Sequence, residues 1–76
     1  MEQYHIYAIF QNGRRYFRNF YHLEPAIADY NRLEQLEGVI KVILKERRGN
    51  NMYDVQVSEI QGRYNKMKRI MTYENY

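Results

Sequence analysis

The dipeptide Asn12-Gly13 constrains the fold more than any other feature of the sequence. Asn-Gly is the preferred pair for a two-residue type I′ turn, because both residues tolerate a positive φ angle. The segments on either side, 4–11 and 14–22, are rich in aromatic and β-branched residues. The sequence therefore predicts a β-hairpin centred on this pair. The expected cross-strand pairs are Phe10 with Arg15, Ala8 with Phe17 and Ile6 with Asn19.

Strict alternation of side chains divides the predicted hairpin into two faces. One face would supply large apolar side chains to a core, namely Tyr4, Ile6, Ala8, Phe10, Phe17 and Tyr21. The other face would mix aromatic, aliphatic and basic side chains, namely His5, Tyr7, Ile9, Arg14, Tyr16, Arg18 and Phe20.

A helix is predicted after the first hairpin. Glu24-Pro25 is typical of a helix start, because proline fits the first helical position and an acidic side chain is favourable near it. Gly38 fits the position just beyond the last turn. Between them runs an apolar stripe at helical spacing, bordered by Leu36 and formed by Leu23, Ala26, Ile27, Tyr30 and Leu33. We therefore expect an amphipathic helix that packs on a sheet.

A second hairpin is predicted from Val39 to Ile60, with its turn near Gly49-Asn50-Asn51. Alternation predicts one apolar face, formed by Ile40, Val42, Leu44, Tyr53, Val55 and Val57. The other face would carry Lys41, Ile43, Lys45, Arg47, Asp54, Gln56 and Ser58. The predicted fold is α+β: a ββαββ order that forms a four-stranded antiparallel sheet, with one amphipathic helix packed on one face.

Residues 1–62 form a single domain in this prediction, since a chain of 76 residues has no room for a second core. The segment 63–76 is basic, and its weak helical stripe of Tyr64, Met67 and Met71 leads us to expect a short helix. An extra edge strand and a mobile tail are the alternatives for this segment.

The expected compartment follows from what the sequence lacks. It has no cysteine, which fits a reducing environment. No stretch approaches the roughly 20 apolar residues of a membrane span, and residues 1–5 lack the basic and apolar regions of a signal peptide. We therefore expect a soluble cytoplasmic protein.

Residues with the usual chemistry of active sites are scattered along the chain. No carboxylate stands at ligand spacing beside His5 or His22, so we expect no metal site. Ser58 is the one serine and lacks a neighbouring base, and the four glycines occur singly, without forming a phosphate-binding loop. No carboxylate pair is placed for acid–base work. We therefore expect no catalytic residue, no cofactor and no enzymatic activity.

The sheet face opposite the helix is the expected binding surface, because the predicted register gathers rings and cations there. The residues expected to contact a partner are Tyr7, Arg14, Tyr16, Arg18, Phe20, Lys41, Lys45 and Arg47. Such rings can stack on the bases of single-stranded nucleic acid, and tyrosine and arginine also dominate protein interfaces. The alternative is that the C-terminal segment folds back over the rings through Tyr64, Met67, Ile70 and Met71.

Charge is distributed unevenly along the chain. The segment 24–37 holds four acidic residues and one arginine, a balance of −3, which leaves +6 for the rest of a chain with a net charge of +3. Such segregation can steer an acidic partner toward one side of a protein.

The ββαββ order, the nine tyrosines and the Asn12-Gly13 hairpin together resemble small proteins of bacteriophages and other mobile elements. The chain is similar in style to phage accessory proteins that inhibit host defences, anti-CRISPR proteins among them. This resemblance implies a stoichiometric binder that acts in the cytoplasm of a bacterial host, and it assigns no role to an individual residue.

We therefore expect a small non-enzymatic accessory or inhibitor protein. Its expected partner is a host protein or protein–nucleic-acid complex that belongs to nucleic-acid-handling machinery. Direct binding of single-stranded nucleic acid through the basic and aromatic face is one alternative. A structural homo-oligomer, such as a homodimer, is the other. No cofactor and no membrane partner is expected.

Overall fold

A computed structural model describes residues 2–60 of the chain. The elements are β1 (Tyr4–Phe10), β2 (Arg15–Phe20), α1 (Leu23–Gln35), β3 (Val39–Arg48) and β4 (Asn51–Glu59). The four strands form one antiparallel sheet in the order β2-β1-β3-β4, and α1 packs on one of its faces. The predicted fold class is confirmed. The helix expected in 63–76 lies outside the described residues.

The first hairpin turns through three residues, Gln11, Asn12 and Gly13, and not through the predicted two. The Gly13 N–H donates to the Phe10 carbonyl at 2.9 Å, and the Phe10 N–H donates to the Arg14 carbonyl at 2.8 Å. Gly13 has a φ angle of +90°. These features describe a tight turn that ends in a left-handed glycine, which is a common three-residue hairpin loop.

The third turn residue shifts β2 by one position against β1. Because side chains alternate, a one-residue shift moves every side chain of the strand to the other face of the sheet. The predicted pairs of Phe10 with Arg15, Ala8 with Phe17 and Ile6 with Asn19 are therefore wrong. The observed pairs are Ala8 with Tyr16, Ile6 with Arg18 and Tyr4 with Phe20.

The faces predicted for β2 are wrong for the same reason. Three expected surface residues, Tyr16, Arg18 and Phe20, lie on the helix side of the sheet, opposite core residues of β1 or their neighbours. Arg14, also expected on the surface, lies opposite Phe10 at the hairpin end. Phe17, which was expected in the core, points away from the helix and is 71% exposed. Tyr21, the other predicted core residue at this end, is also exposed.

The second hairpin keeps the predicted faces only near its turn. Arg48 pairs with Asn51 around the turn, and the same register continues to the pair of Lys45 with Asp54. Val55 is then an extra residue in β4, a bulge, so that the next pairs are Leu44 with Gln56, Ile43 with Val57 and Val42 with Ser58. The bulge reverses the predicted faces of the last part of β4. Val57 lies on the side away from the helix, and Gln56 and Ser58 lie on the helix side.

The core lies between α1 and the two central strands. Its fully buried members are Ile6 and Ala8 of β1, Ala26, Tyr30 and Leu33 of α1, and Val39, Val42 and Leu44 of β3. Two residues of the predicted helical stripe, Leu23 and Ile27, are instead 39% and 38% exposed, and Asp29 is buried at 7%. The buried side of the helix therefore includes Asp29 in place of Leu23 and Ile27. Asp29 accepts a hydrogen bond from the Tyr16 hydroxyl on β2.

The helix begins and ends close to the predicted positions. It starts at Leu23, so Pro25 occupies its third position and not its first. Proline is tolerated there because the first four N–H groups of a helix have no partner within the helix. Gly38 follows the end of α1 with a φ angle of +92°, a conformation that glycine adopts without strain.

The bulge in β4 is coupled to the helix through Ser58. On the helix side of the sheet, the Ser58 hydroxyl hydrogen-bonds to the Tyr30 hydroxyl and donates to the Glu34 carboxylate. Without the bulge, Ser58 would point away from both groups. Burial raises the pKa of Tyr30 above its ordinary value of 10.0, and the charge of Glu34 raises it further, while the hydrogen bond with Ser58 lowers it.

Candidate interaction surface

The sheet face turned away from α1, called the open face below, carries an apolar row across all four strands. The row consists of Phe17 on β2, Tyr7 on β1, Ile43 on β3 and Val57 on β4, which are successive cross-strand neighbours. Val57 is 46% exposed, and Phe17 is the most exposed large apolar side chain of the described residues. In residues 2–60 the helix covers the other face only, so no described residue covers this row. The C-terminal segment, the alternative cover, lies outside the described residues.

Two polar rows flank the apolar row. One row is formed by Arg15, Ile9, Lys41 and Glu59, and the other by Asn19, His5, Lys45 and Asp54. Cross-strand ion pairs join Lys41 to Glu59 at 3.6 Å and Lys45 to Asp54 at 3.5 Å. These pairs are half-exposed, and such pairs contribute less than about 1 kcal/mol each. Their main effect is to neutralise two cations of the face.

The remaining cations of the open face lie at its two ends. Arg15 hydrogen-bonds to the Tyr7 hydroxyl and lies 6.0 Å from the Tyr7 ring centroid. Arg47 pairs with Met52 beyond the second polar row, and no ion pair or side-chain hydrogen bond of Arg47 occurs in residues 2–60. Four cations against two carboxylates give the open face a charge of +2.

The rings of Tyr7 and Phe17 form the aromatic end of the apolar row. Their centroids are 4.7 Å apart and their planes are tilted by 43°. Aromatic pairs prefer tilted or offset arrangements of this kind. Because Arg15 lies over Tyr7, the ring with the larger free surface is Phe17.

A shallow depression of about 490 Å³ adjoins the apolar row. It is lined by His5, Ile6, Tyr7, Phe17, Asn19, Ile43, Lys45 and Met52. His5 Nδ1 lies 2.7 Å from Asn19 Oδ1, so Nδ1 carries the proton if this amide oxygen accepts. His5 Nε2 is buried and has no hydrogen-bond partner among the described residues. The depression is open and mostly apolar, which suits a protruding side chain of a partner better than a small polar substrate.

Half of the residues predicted from sequence lie on the open face. These are Tyr7, Lys41, Lys45 and Arg47, and the two isoleucines expected beside them, Ile9 and Ile43, are there as well. The others, Arg14, Tyr16, Arg18 and Phe20, belong to the helix side, as described above. The structure also brings to this face six residues that the sequence did not place there, namely Arg15, Phe17, Asn19, Met52, Val57 and Glu59.

The missed residues depend on the turn and on the bulge. An Asn-Gly pair is compatible with two-residue and three-residue loops, and both registers divide the four aromatic residues of the segment 14–22 equally between the two sides. The β4 bulge has no glycine or proline to mark it. The polar Ser58 at a predicted surface position gave no sign that it would contact the helix.

On the helix side, Tyr16 belongs to a hydrogen-bonded cluster and is not available as a surface ring. Its hydroxyl donates to Asp29 Oδ2 at 2.7 Å, and Arg32 donates to Asp29 Oδ1 through Nε at 3.1 Å and through a terminal nitrogen at 2.9 Å. Arg18 lies over the Phe20 ring at 5.2 Å. The Tyr16 contacts join β2 to α1, and the Phe20 ring packs against the core, so both aromatic residues have a structural role.

The described part of the chain offers little else that suggests chemistry. No group of three His, Cys, Asp or Glu side chains within residues 2–60 could hold a metal ion. No helix within them is long and apolar enough to cross a membrane.

Comparisons with protein-family models, with curated protein sequences and with solved structures find no match to this chain.

Proposed function

We propose that this chain is a small non-enzymatic accessory protein that binds a partner protein through its open face. The observation that supports the proposal is the apolar row, which crosses all four strands and includes a phenylalanine that is 71% exposed. Covering apolar surface contributes about 25 cal/mol per Å². Exposed apolar patches with a polar rim mark interaction sites in soluble proteins.

The arrangement of charge on the open face also supports a protein partner. Protein interfaces have an apolar centre that is depleted of charge, surrounded by a polar rim. Here the apolar row is central, and the ion pairs of Lys41 with Glu59 and of Lys45 with Asp54 lie in the flanking rows. A partner that covers the centre need not separate these pairs from water.

The proposed partner is a component of bacterial nucleic-acid-handling machinery, which the chain binds stoichiometrically and blocks. The resemblance to phage accessory proteins that inhibit host defences supports this choice. In this role no catalytic group is needed, because occupation of the partner's surface is sufficient.

Direct binding of single-stranded nucleic acid is the second candidate. It is favoured by the exposed Phe17 ring beside Tyr7, on which a base could stack, and by Arg15 and Arg47 at the ends of the face. Each stacked base would contribute about 1–3 kcal/mol. Two of the four cations are already paired with carboxylates, which leaves few phosphate contacts and favours the protein partner.

Affinity capture from a bacterial lysate, with and without nuclease, tests the proposal. We expect one bacterial protein to remain bound after nuclease treatment. The purified partner should then bind in a one-to-one ratio, with an affinity that changes little with salt. Loss of the partner after nuclease would contradict the proposal. So would binding to single-stranded nucleic acid with a log–log salt slope of about −0.7 per phosphate contact, which is the behaviour expected of the second candidate.

A further inference from the structure

Among residues 2–60, no strand lies beside the outer edge of β2. β2 is the first strand in the sheet order, so only β1 pairs with it. In an antiparallel ladder, hydrogen-bonded and non-bonded residue pairs alternate. Since the Phe10 N–H donates to the Arg14 carbonyl, the backbone groups of Tyr16 and Arg18 face β1. Those of Arg15, Phe17 and Asn19 therefore face outward.

This edge is regular and accessible. β2 pairs with β1 without a bulge over its whole length, and it contains no proline or glycine. Its central residue, Phe17, is 71% exposed. Natural proteins protect edge strands with bulges, prolines, charged side chains or a covering element. Within residues 2–60, β2 has only the charges of Arg15 and Arg18.

The positions of the arginines select one way of adding a strand from a second copy. If two β2 strands pair antiparallel about a two-fold axis at Phe17, then Phe17 meets Phe17, Arg15 meets Asn19, and Tyr16 meets Arg18 of the second copy. No two arginines are directly opposite in this register. The pair of Tyr16 with Arg18 likewise brings no two like charges directly opposite each other.

The neighbouring registers bring like charges together. Centring the axis on Tyr16 places Arg14 opposite Arg18 of the second copy, and centring it on Arg18 places Arg18 opposite itself. Like charges directly opposite are destabilising. The Phe17 register also has the correct backbone pattern, because a residue on the axis can then exchange both of its outward hydrogen bonds with its own counterpart.

The opposite edge of the sheet is less suited to such pairing. In β4 the extra residue Val55 interrupts the alternation of faces, and a bulge of this kind discourages a long added ladder. The two edges are therefore not equivalent, which favours a closed pair through β2 over an open filament through β2 and β4.

We propose that two copies of this chain pair antiparallel through their β2 edges, with Phe17 on the two-fold axis. The pairing joins the two sheets into one and makes the apolar rows of the two open faces continuous. It concerns the edge of the sheet and does not depend on the function proposed for its face.

Sedimentation equilibrium over a concentration series, combined with amide hydrogen exchange, tests the pairing. We expect reversible association to two chains. The amides of Arg15, Phe17 and Asn19 should exchange more slowly as the dimer forms, while those of Tyr16 and Arg18, already bonded to β1, should change little. Association should strengthen with salt, because Arg14, Arg15 and Arg18 of both copies lie near the axis and their repulsion is screened.

Two variants weaken the edge in different ways. Asn19→Pro removes an outward N–H group and keeps the hydrogen bonds between β2 and β1. Two hydrogen bonds per dimer are then lost, so association should weaken by at least about tenfold. Phe17→Lys places like charges on the axis and should have a similar effect if the proline variant fails to fold. Val57→Lys, on the same face at the far strand, is the control and should associate like the unchanged chain.

Three results would overturn the pairing. One is a single-chain mass at every concentration. Another is a dimer in which the amides of Arg15, Phe17 and Asn19 remain unprotected. The third is a dimer that Val57→Lys abolishes and that Asn19→Pro and Phe17→Lys leave intact, since such a dimer would form through the open face.

Discussion

The hydroxyl of Tyr16 on β2 donates a 2.7 Å hydrogen bond to Oδ2 of Asp29, a helix carboxylate that is only 7% exposed. Arg32 occupies the other carboxylate oxygen and also donates to the Tyr16 hydroxyl at 3.3 Å. The contact is possible only in the observed register, because the predicted one would place Tyr16 on the open face. It therefore links the turn at Gly13 to the packing of the helix.

Removing the Tyr16 hydroxyl should destabilise the fold. Tyr16→Phe leaves a buried carboxylate with one donor group fewer, so we expect the free energy of unfolding to fall by about 1–3 kcal/mol. Urea unfolding followed by circular dichroism measures the difference. Tyr21→Phe is the matched control, because Tyr21 is exposed, and it should change stability by less than about 0.5 kcal/mol. Equal effects of the two variants would contradict the role given to Tyr16.

Gly13 should be sensitive to substitution through its backbone alone. At a φ angle of +90° a Cβ atom built on Gly13 meets no heavy atom within 4 Å. Gly13→Ala should therefore cost about 1–2 kcal/mol, the strain of a left-handed alanine. Gly13→Asn should cost less, since asparagine tolerates this region. Thermal unfolding of the two variants checks the order, and an alanine variant as stable as the unchanged chain would argue against the left-handed conformation of Gly13.

Ionisation of Tyr30 should destabilise the protein at high pH. Its pKa is raised in the folded state, mainly by burial, above the ordinary value of 10.0 that applies when the chain is unfolded. The protonated hydroxyl therefore contributes stability that is fully present below pH 10.0 and is lost as the pH rises through the folded-state pKa.

Tyr30→Phe isolates this contribution. The stability difference between the unchanged chain and the variant should shrink as the pH is raised above 10.0. Tyr53→Phe serves as the matched control for the loss of a tyrosine hydroxyl, since Tyr53 is half-exposed. Unfolding free energies measured by denaturant titration at several alkaline pH values give the comparison. A pH-independent difference for Tyr30→Phe would show that burial does not hold its proton.

The order of elements could be predicted from the sequence because each element has a local cause. Asn12-Gly13 marks one hairpin, Glu24-Pro25 and Gly38 bound the helix, and alternation marks the long strands. Side-chain placement on β1 and β3 was also predicted correctly on the open face, where Tyr7, Ile43 and the basic residues of β3 lie as expected.

The binding surface was predicted less well because a face depends on register, and register depends on single residues. One additional turn residue exchanged Tyr16 and Phe17 between the two sides, and one bulge residue, Val55, did the same for Val57. Neither change alters the hydrophobic content of the strands. Tertiary hydrogen bonds between the sheet and the helix select the observed register. The Tyr16 hydroxyl donates to Asp29, and the Ser58 hydroxyl hydrogen-bonds to Tyr30 and Glu34.

The central claim is that a partner binds the open face, and adjacent residues of β4 test it most directly. Val57 lies on the open face and Gln56 lies on the helix side, and both are exposed. The measurement is the dissociation constant of the captured partner protein for the unchanged chain, Val57→Lys and Gln56→Lys. We predict that Val57→Lys weakens binding by more than about tenfold, while Gln56→Lys stays within about threefold of the unchanged chain. Full binding by Val57→Lys, or loss of binding by Gln56→Lys alone, would contradict the account.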